Sequence, residues 1–131
     1  MAVEPAESPV LREGRTGRHE IEGIGIWFVP PLWDPADATE FMTVTTHEAE
    51  EMARRLAREE ALFAGASSGA NVVAARRLAE RLGPAATVVT LLVDSGLKYL
   101  TTDVYRDAER AALSETMPLM SPEELGLSRI S

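Results

Sequence analysis

The run Phe41-Met42-Thr43-Val44-Thr45-Thr46-His47-Glu48 decides the fold class. Its first five residues are rich in β-formers and predict a short strand over 41–45. Thr45-x-x-Glu48 has capping-box spacing, in which a hydroxyl and a carboxylate satisfy each other's backbone amides at a helix start. Glu48, Glu50 and Glu51 gather near the positive end of that helix. Ala49, Met52, Ala53, Leu56 and Ala57 recur at helical spacing and predict its buried stripe. Arg54, Arg55 and Arg58 fall largely on the other face, where solvation is their expected role.

Downstream, Gly65-Ala66-Ser67-Ser68-Gly69-Ala70-Asn71 opens a second helix. A serine is its expected N-cap, and Val73, Ala74, Leu78 and Leu82 carry it onward. Gly83-Pro84 stops it, since glycine suits the left-handed cap and proline cannot continue. Thr87-Val88-Val89-Thr90-Leu91-Leu92-Val93 is a nearly unbroken apolar β-run, which suits a parallel strand covered on both faces. Strand, helix, helix, strand is an α/β order. Asp94-Ser95-Gly96 then forms a polar loop at a strand's carboxyl end, where open α/β sheets bind ligands. A weaker helical stretch follows Asp103. A short helix is expected from Ser121, with Pro122 at its first position and Glu123 and Glu124 in its first turn.

Upstream, Pro5 to Gly17 carries Pro, Ser and Gly without periodicity and reads as loop. The start is abrupt: Val3 is the one strand-like residue before the first proline, as if the upstream part of a strand were missing. In His19-Glu20-Ile21-Glu22-Gly23-Ile24-Gly25 the glycines suggest tight backbone approach. Ile26-Trp27-Phe28-Val29 follows, and Pro30-Pro31 ends any regular element.

Composition narrows the function classes. The 131 residues are 45% hydrophobic and 26% charged, an ordinary globular balance. A formal charge of −8 would repel a phosphate backbone, so nucleic acid is not an expected partner. With no cysteine, disulfides, thiolate metal sites and a cysteine nucleophile are excluded. His19 and His47 do not stand at metal-ligand spacing. No apolar run reaches membrane-span length and MAVEPAESPV is not a signal peptide, so a soluble cytoplasmic protein is expected. Of the 13 Lys and Arg residues 12 are arginine, leaving Lys98 as the one lysine.

Four segments together carry a resemblance. Val3-Glu4-Pro5-Ala6 with Ser8-Pro9-Val10-Leu11 resembles the end of a central strand in cysteine synthases. His19 to Pro30 resembles H-x-I-x-G-I-G-x-G-F-[IV]-P. Gly65 to Asn71 resembles G-[IVT]-S-S-G-A-N, and Ser95 to Thr102 resembles S-G-x-[KR]-Y-L-S-T. Their order and spacing match the cysteine synthase family over roughly 1–105. The implied fold is α/β, part of the larger domain of a fold-type II pyridoxal-phosphate enzyme related to the tryptophan synthase β subunit. Residues 1–113 are then the C-terminal half of that enzyme's large domain, and 114–131 a tail with a short helix.

The resemblance implies pyridoxal phosphate as cofactor and places two cofactor-binding residues. Ser95 matches the serine whose hydroxyl faces the ring nitrogen; the plainer reading is a turn serine bonding nearby backbone. Gly23 matches a glycine whose backbone lies close to the ring; the plainer reading is a turn glycine. Gly25 reads as structural. Ser67 and Ser68 read as helix caps before pocket residues, and Ala66 stands where the family often has a larger residue near the ring. Trp27 departs from the pattern and needs space and a partner for its N–H. No residue here is assigned as catalytic. The family's cofactor-binding lysine, its Gly/Thr-rich phosphate loop and its substrate-carboxylate loop lie upstream of the matched part. Lys98 stands in the wrong motif for the first and reads as an exposed or ion-pairing side chain.

The complete enzyme implied is a transferase that forms cysteine from O-acetylserine and sulfide, acting on a small amino-acid substrate. This chain alone is expected to be inactive, and its expected partner is the missing N-terminal half or a homodimer mate. Two alternatives stay open: part of a cystathionine β-synthase or serine/threonine dehydratase, or a non-catalytic interaction remnant.

Overall fold

In the computed structural model, which describes residues 1–106, the chain opens with strand β1 (Ala2–Pro5). The expected tail over 114–131, with its helix at Ser121, lies outside the described residues. Within the stretch expected as loop, a short helix α1 (Val10–Glu13) forms. Its cause is non-local. The buried Glu4 side chain accepts the backbone amides of Leu11 at 2.6 Å and Arg12 at 3.2 Å. Those are donors that a helix start leaves unpaired.

Strand β2 (Phe41–Val44) lies parallel to β1, with Ala2 opposite Phe41 and Pro5 opposite Val44. It leads into helix α2 (Thr46–Glu60) through the expected capping box. The Thr45 hydroxyl accepts the Glu48 amide at 3.2 Å, and the Glu48 carboxylate accepts the Thr45 amide at 3.0 Å. Ala49, Met52, Ala53 and Leu56 form the buried stripe. Arg54 departs from expectation: its side chain is 14% exposed and donates to the Val104 carbonyl at 3.0 Å. It thereby ties α2 to the helical residues 103–106.

Helix α3 (Ala66–Leu82) packs on α2. A Cβ at Gly69 would overlap the Ala49 carbonyl oxygen and lie 2.9 Å from the Ala53 nitrogen, so only glycine allows this approach. The N-cap is Gly65, not a serine; Ser67 and Ser68 sit buried inside the helix's first turn. The Ser68 hydroxyl instead accepts the Val93 amide at 2.9 Å. Leu82 ends the helix exposed, outside the expected stripe, and Gly83 at φ +84 closes it. Ile21, Val44, Met52, Leu56, Val73 and Val104 join in the core between the strands and helices.

Residues 87–93 do not form the expected covered strand. The run takes part in no strand ladder, and Val89 is 87% exposed. A ladder needs a neighbour, and among the described residues none lies alongside. Side chains of α3 hold the run instead: Asn71 donates to the Leu91 carbonyl at 3.0 Å, beside the Ser68 bond to Val93. Its direction follows from these contacts. Chain numbers rise from Leu91 to Val93 as they fall from Asn71 to Ser68. The same holds for β2, where Glu40 meets Arg81 and Thr43 meets Arg77. Both therefore run antiparallel to α3, and 87–93 is parallel to β1 and β2. The architecture is α/β, a small parallel sheet with helices.

Candidate active site

At the end of the 87–93 run the chain turns through Asp94 and Ser95 into a short 3-10 turn over Gly96–Tyr99. The Ser95 hydroxyl oxygen accepts the Leu97 amide at 3.2 Å, the bond a turn serine makes. That bond uses a lone pair and leaves the hydroxyl proton free to donate, since a hydroxyl is both donor and acceptor. Ser95 is exposed, so the proton is reachable.

The loop is locked from beneath. Asp94 accepts the Tyr99 hydroxyl at 2.5 Å and the Lys98 ammonium at 3.2 Å. Burial, with the Asp94 bond and charge behind it, pushes the Tyr99 hydroxyl up to about 12. The other Asp94 oxygen is buried without a hydrogen-bond partner. A Cβ at Gly65 would come within 2.5 Å of it and would strike the Tyr99 ring. Ser95 forms an antiparallel bridge with Ala64, and the Gly96 amide donates to the Phe63 carbonyl at 3.0 Å. Sequence reasoning named Asp94 and Gly65 within motifs but did not anticipate the Asp94–Tyr99 bond or the contact that requires glycine at 65. The Asp-to-Tyr spacing across the turn was the available signal.

Gly23 adopts φ +86, a conformation that favours glycine, and a Cβ there would meet no atom within 4 Å. The space beside it is open. It lines a groove of about 380 Å³ formed by residues 16–27 with Ser8, and Ser95 is not in that lining. Gly25 is structural, as expected: a Cβ at its φ of +62 would strike Pro5 and come within 2.9 Å of His19 Nε2. Ala66 is buried in the core at 2% exposure rather than walling an open pocket. Trp27 is 80% exposed and meets Phe28 edge-on at 5.0 Å, so its N–H is free to reach water. Lys98 has a 64% exposed side chain, paired with Asp94 and 5.5 Å above the Tyr99 ring.

A profile of the pyridoxal-phosphate dependent enzymes matches residues 1–94. The chain belongs to that family. It is 42% identical over 105 residues to a cysteine synthase of Staphylococcus aureus, covering 80% of this chain and 34% of the relative. The crystal structure of an Entamoeba histolytica cysteine synthase superposes with a TM-score of 0.73 at 30% identity, over 97% of this chain and 35% of that one. An O-acetylserine dependent cystathionine β-synthase of Helicobacter pylori gives a TM-score of 0.72 at 41% identity, over 79% of this chain and 33% of that one. The chain thus spans about a third of the length of its relatives, within the fold-type II architecture.

The family's cofactor would need a partner for its ring nitrogen and room for a flat ring: Ser95 keeps a hydroxyl proton free on its turn, and the space beside Gly23 is open. Lys98, exposed and paired with Asp94, is not among the residues that line the Gly23 groove.

Proposed function

We propose that this chain supplies the ring-side part of a cysteine synthase, an enzyme that replaces the β-substituent of O-acetylserine with sulfide. The observation that carries it is the Ser95 hydroxyl, held by Leu97 and backed by the Asp94–Tyr99 bond, with its own proton free. Bound pyridoxal phosphate supplies an electron sink, and the partner of its ring nitrogen tunes that sink. Ser95 donates a hydrogen bond there without giving up its proton, as a carboxylic acid would. The resulting weak sink favours β-replacement over transamination. Gly23 leaves room for the ring edge. The chain needs a lysine and a phosphate cradle from the rest of the enzyme, working in the cytoplasm, to act.

Co-expression with the part of the Staphylococcus aureus cysteine synthase outside the matched segment tests this. Cysteine formation from O-acetylserine and sulfide is expected, and Ser95→Ala should lower turnover roughly tenfold, the worth of one hydrogen bond to a charge-developing group. Wild-type turnover in that variant would sink the assignment of Ser95. The 41% identity to a cystathionine β-synthase favours one second reading. A preference for homocysteine over sulfide in the same assembly would select it.

A further inference from the structure

Trp27 is the least expected side chain in the groove beside Gly23. The pattern H-x-I-x-G-I-G-x-G-F carries glycine at that position, so the indole is an addition of this chain. It lines the groove of about 380 Å³ together with Gly23, and at 80% exposure it stands on the rim. Small-ligand sites span roughly 300–1,000 Å³, a range that includes this groove.

The indole is held, yet most of it is open. Residues 23–26 are a wall shared with a second groove of about 180 Å³, which Phe28 lines. Phe28 meets the indole edge-on, with ring centroids 5.0 Å apart. The wall is pinned at Gly25, whose carbonyl accepts the Ser8 hydroxyl at 3.2 Å and the His19 ring at 3.0 Å. A carbonyl only accepts, so His19 Nε2 carries the proton. At Gly23 the backbone admits a flat group, since a Cβ there would meet nothing within 4 Å. The groove also reaches toward the Ser95 loop: Glu22 in its lining adds to the charges that raise the Tyr99 hydroxyl.

We propose that Trp27 is a stacking residue for the cofactor's pyridine ring, a ring-side contact that glycine at this position does not supply. The proposal rests on the reading of Gly23 and Ser95 as ring-side residues. Offset stacking needs a held ring with a free face, and Trp27 has both. An electron-poor pyridine suits the electron-rich face of an indole better than an aliphatic group does. Stacking adds affinity without any bond to Lys98, so it belongs to a chain that contacts the ring but does not anchor it.

Nuclear magnetic resonance on the isotope-labelled 131-residue chain, titrated with pyridoxine phosphate, tests this. That probe carries an alcohol in place of the cofactor's aldehyde, so it cannot form an imine with Lys98 or the N-terminus. The Trp27 indole N–H and the Gly23 amide are expected to shift together. The Trp33 indole, tilted against Phe41 at 6.1 Å, should stay in place. Inorganic phosphate alone should move none of them. Trp27→Ala and Trp27→Leu should weaken binding roughly fivefold, while Trp27→Phe keeps most of the affinity. The indole is exposed, so all three variants should keep the helical circular dichroism. The proposal is overturned, and the functional reading left standing, by any of three results: the same shifts with phosphate alone, an unmoved Trp27 indole while Gly23 and Ser95 respond, or wild-type affinity in Trp27→Ala or Trp27→Leu. Response at Trp27 and Gly23 without Ser95 would sink the ring-nitrogen assignment alone. No response at any of the three residues would overturn the proposal, and the turnover assay then judges the functional reading separately.

Discussion

Tyr99 closes the loop that presents Ser95, because its hydroxyl reaches back across the turn to Asp94. Its folded value of about 12 stands above the ordinary 10.0, so the neutral hydroxyl contributes stability that is complete below pH 10. That contribution drains away as pH rises from 10 to 12. Ultraviolet titration should show tyrosinate late in the folded protein and near 10 in denaturant. Burial raises Tyr105 as well, so neither tyrosine should ionise early. Tyr99→Phe should reduce the stability loss between pH 10 and 12, leaving the part that Tyr105 contributes; a variant that keeps the whole loss would contradict this assignment. Ser95 and Gly23 were legible as motif positions. The Asp94–Tyr99 bond and the need for glycine at 65 were not, since both depend on residues brought together by folding.

Helices α2 and α3 were legible where their signals are local. The Thr45 capping box and the alanine-rich stripe are written within a few residues of where they act. Thr45→Ala should therefore cost about 1 kcal/mol in urea unfolding. Glu48 sits below the ordinary 4.5, held there by the Thr45 amide first and then by the Thr45 hydroxyl and Arg77. A lowered carboxylate stabilises above 4.5 and loses that effect as pH falls through its folded value. Acid unfolding should flatten on that side in Glu48→Gln. Where α2 meets α3, Gly69→Ala should lose roughly 1–3 kcal/mol by overpacking, read from the same denaturation curves. Helix α1 escaped the sequence because its cap, Glu4, comes from the preceding strand. The serine expected as the α3 cap lies inside the helix and serves the 87–93 run instead.

At the scale of the whole molecule, residues 87–93 show what a sequence pattern states and what it leaves out. Thr87 to Val93 has the composition of a buried parallel strand, and pairing is what it lacks. A strand is a property of two segments, and its partner is not among the described residues. The family and its cofactor were legible because four motifs stand in order. The share of the enzyme present becomes plain from the relatives, of which this chain covers about a third. In the proposed function this chain contacts the cofactor ring but does not anchor it. Borohydride reduction of the chain with stoichiometric pyridoxal phosphate, followed by mass spectrometry, tests it directly. With the complementary part of the Staphylococcus aureus enzyme present, the reduced adduct is predicted on a lysine of that part, with Lys98 unmodified in both mixtures. A stoichiometric adduct on Lys98 would contradict the account.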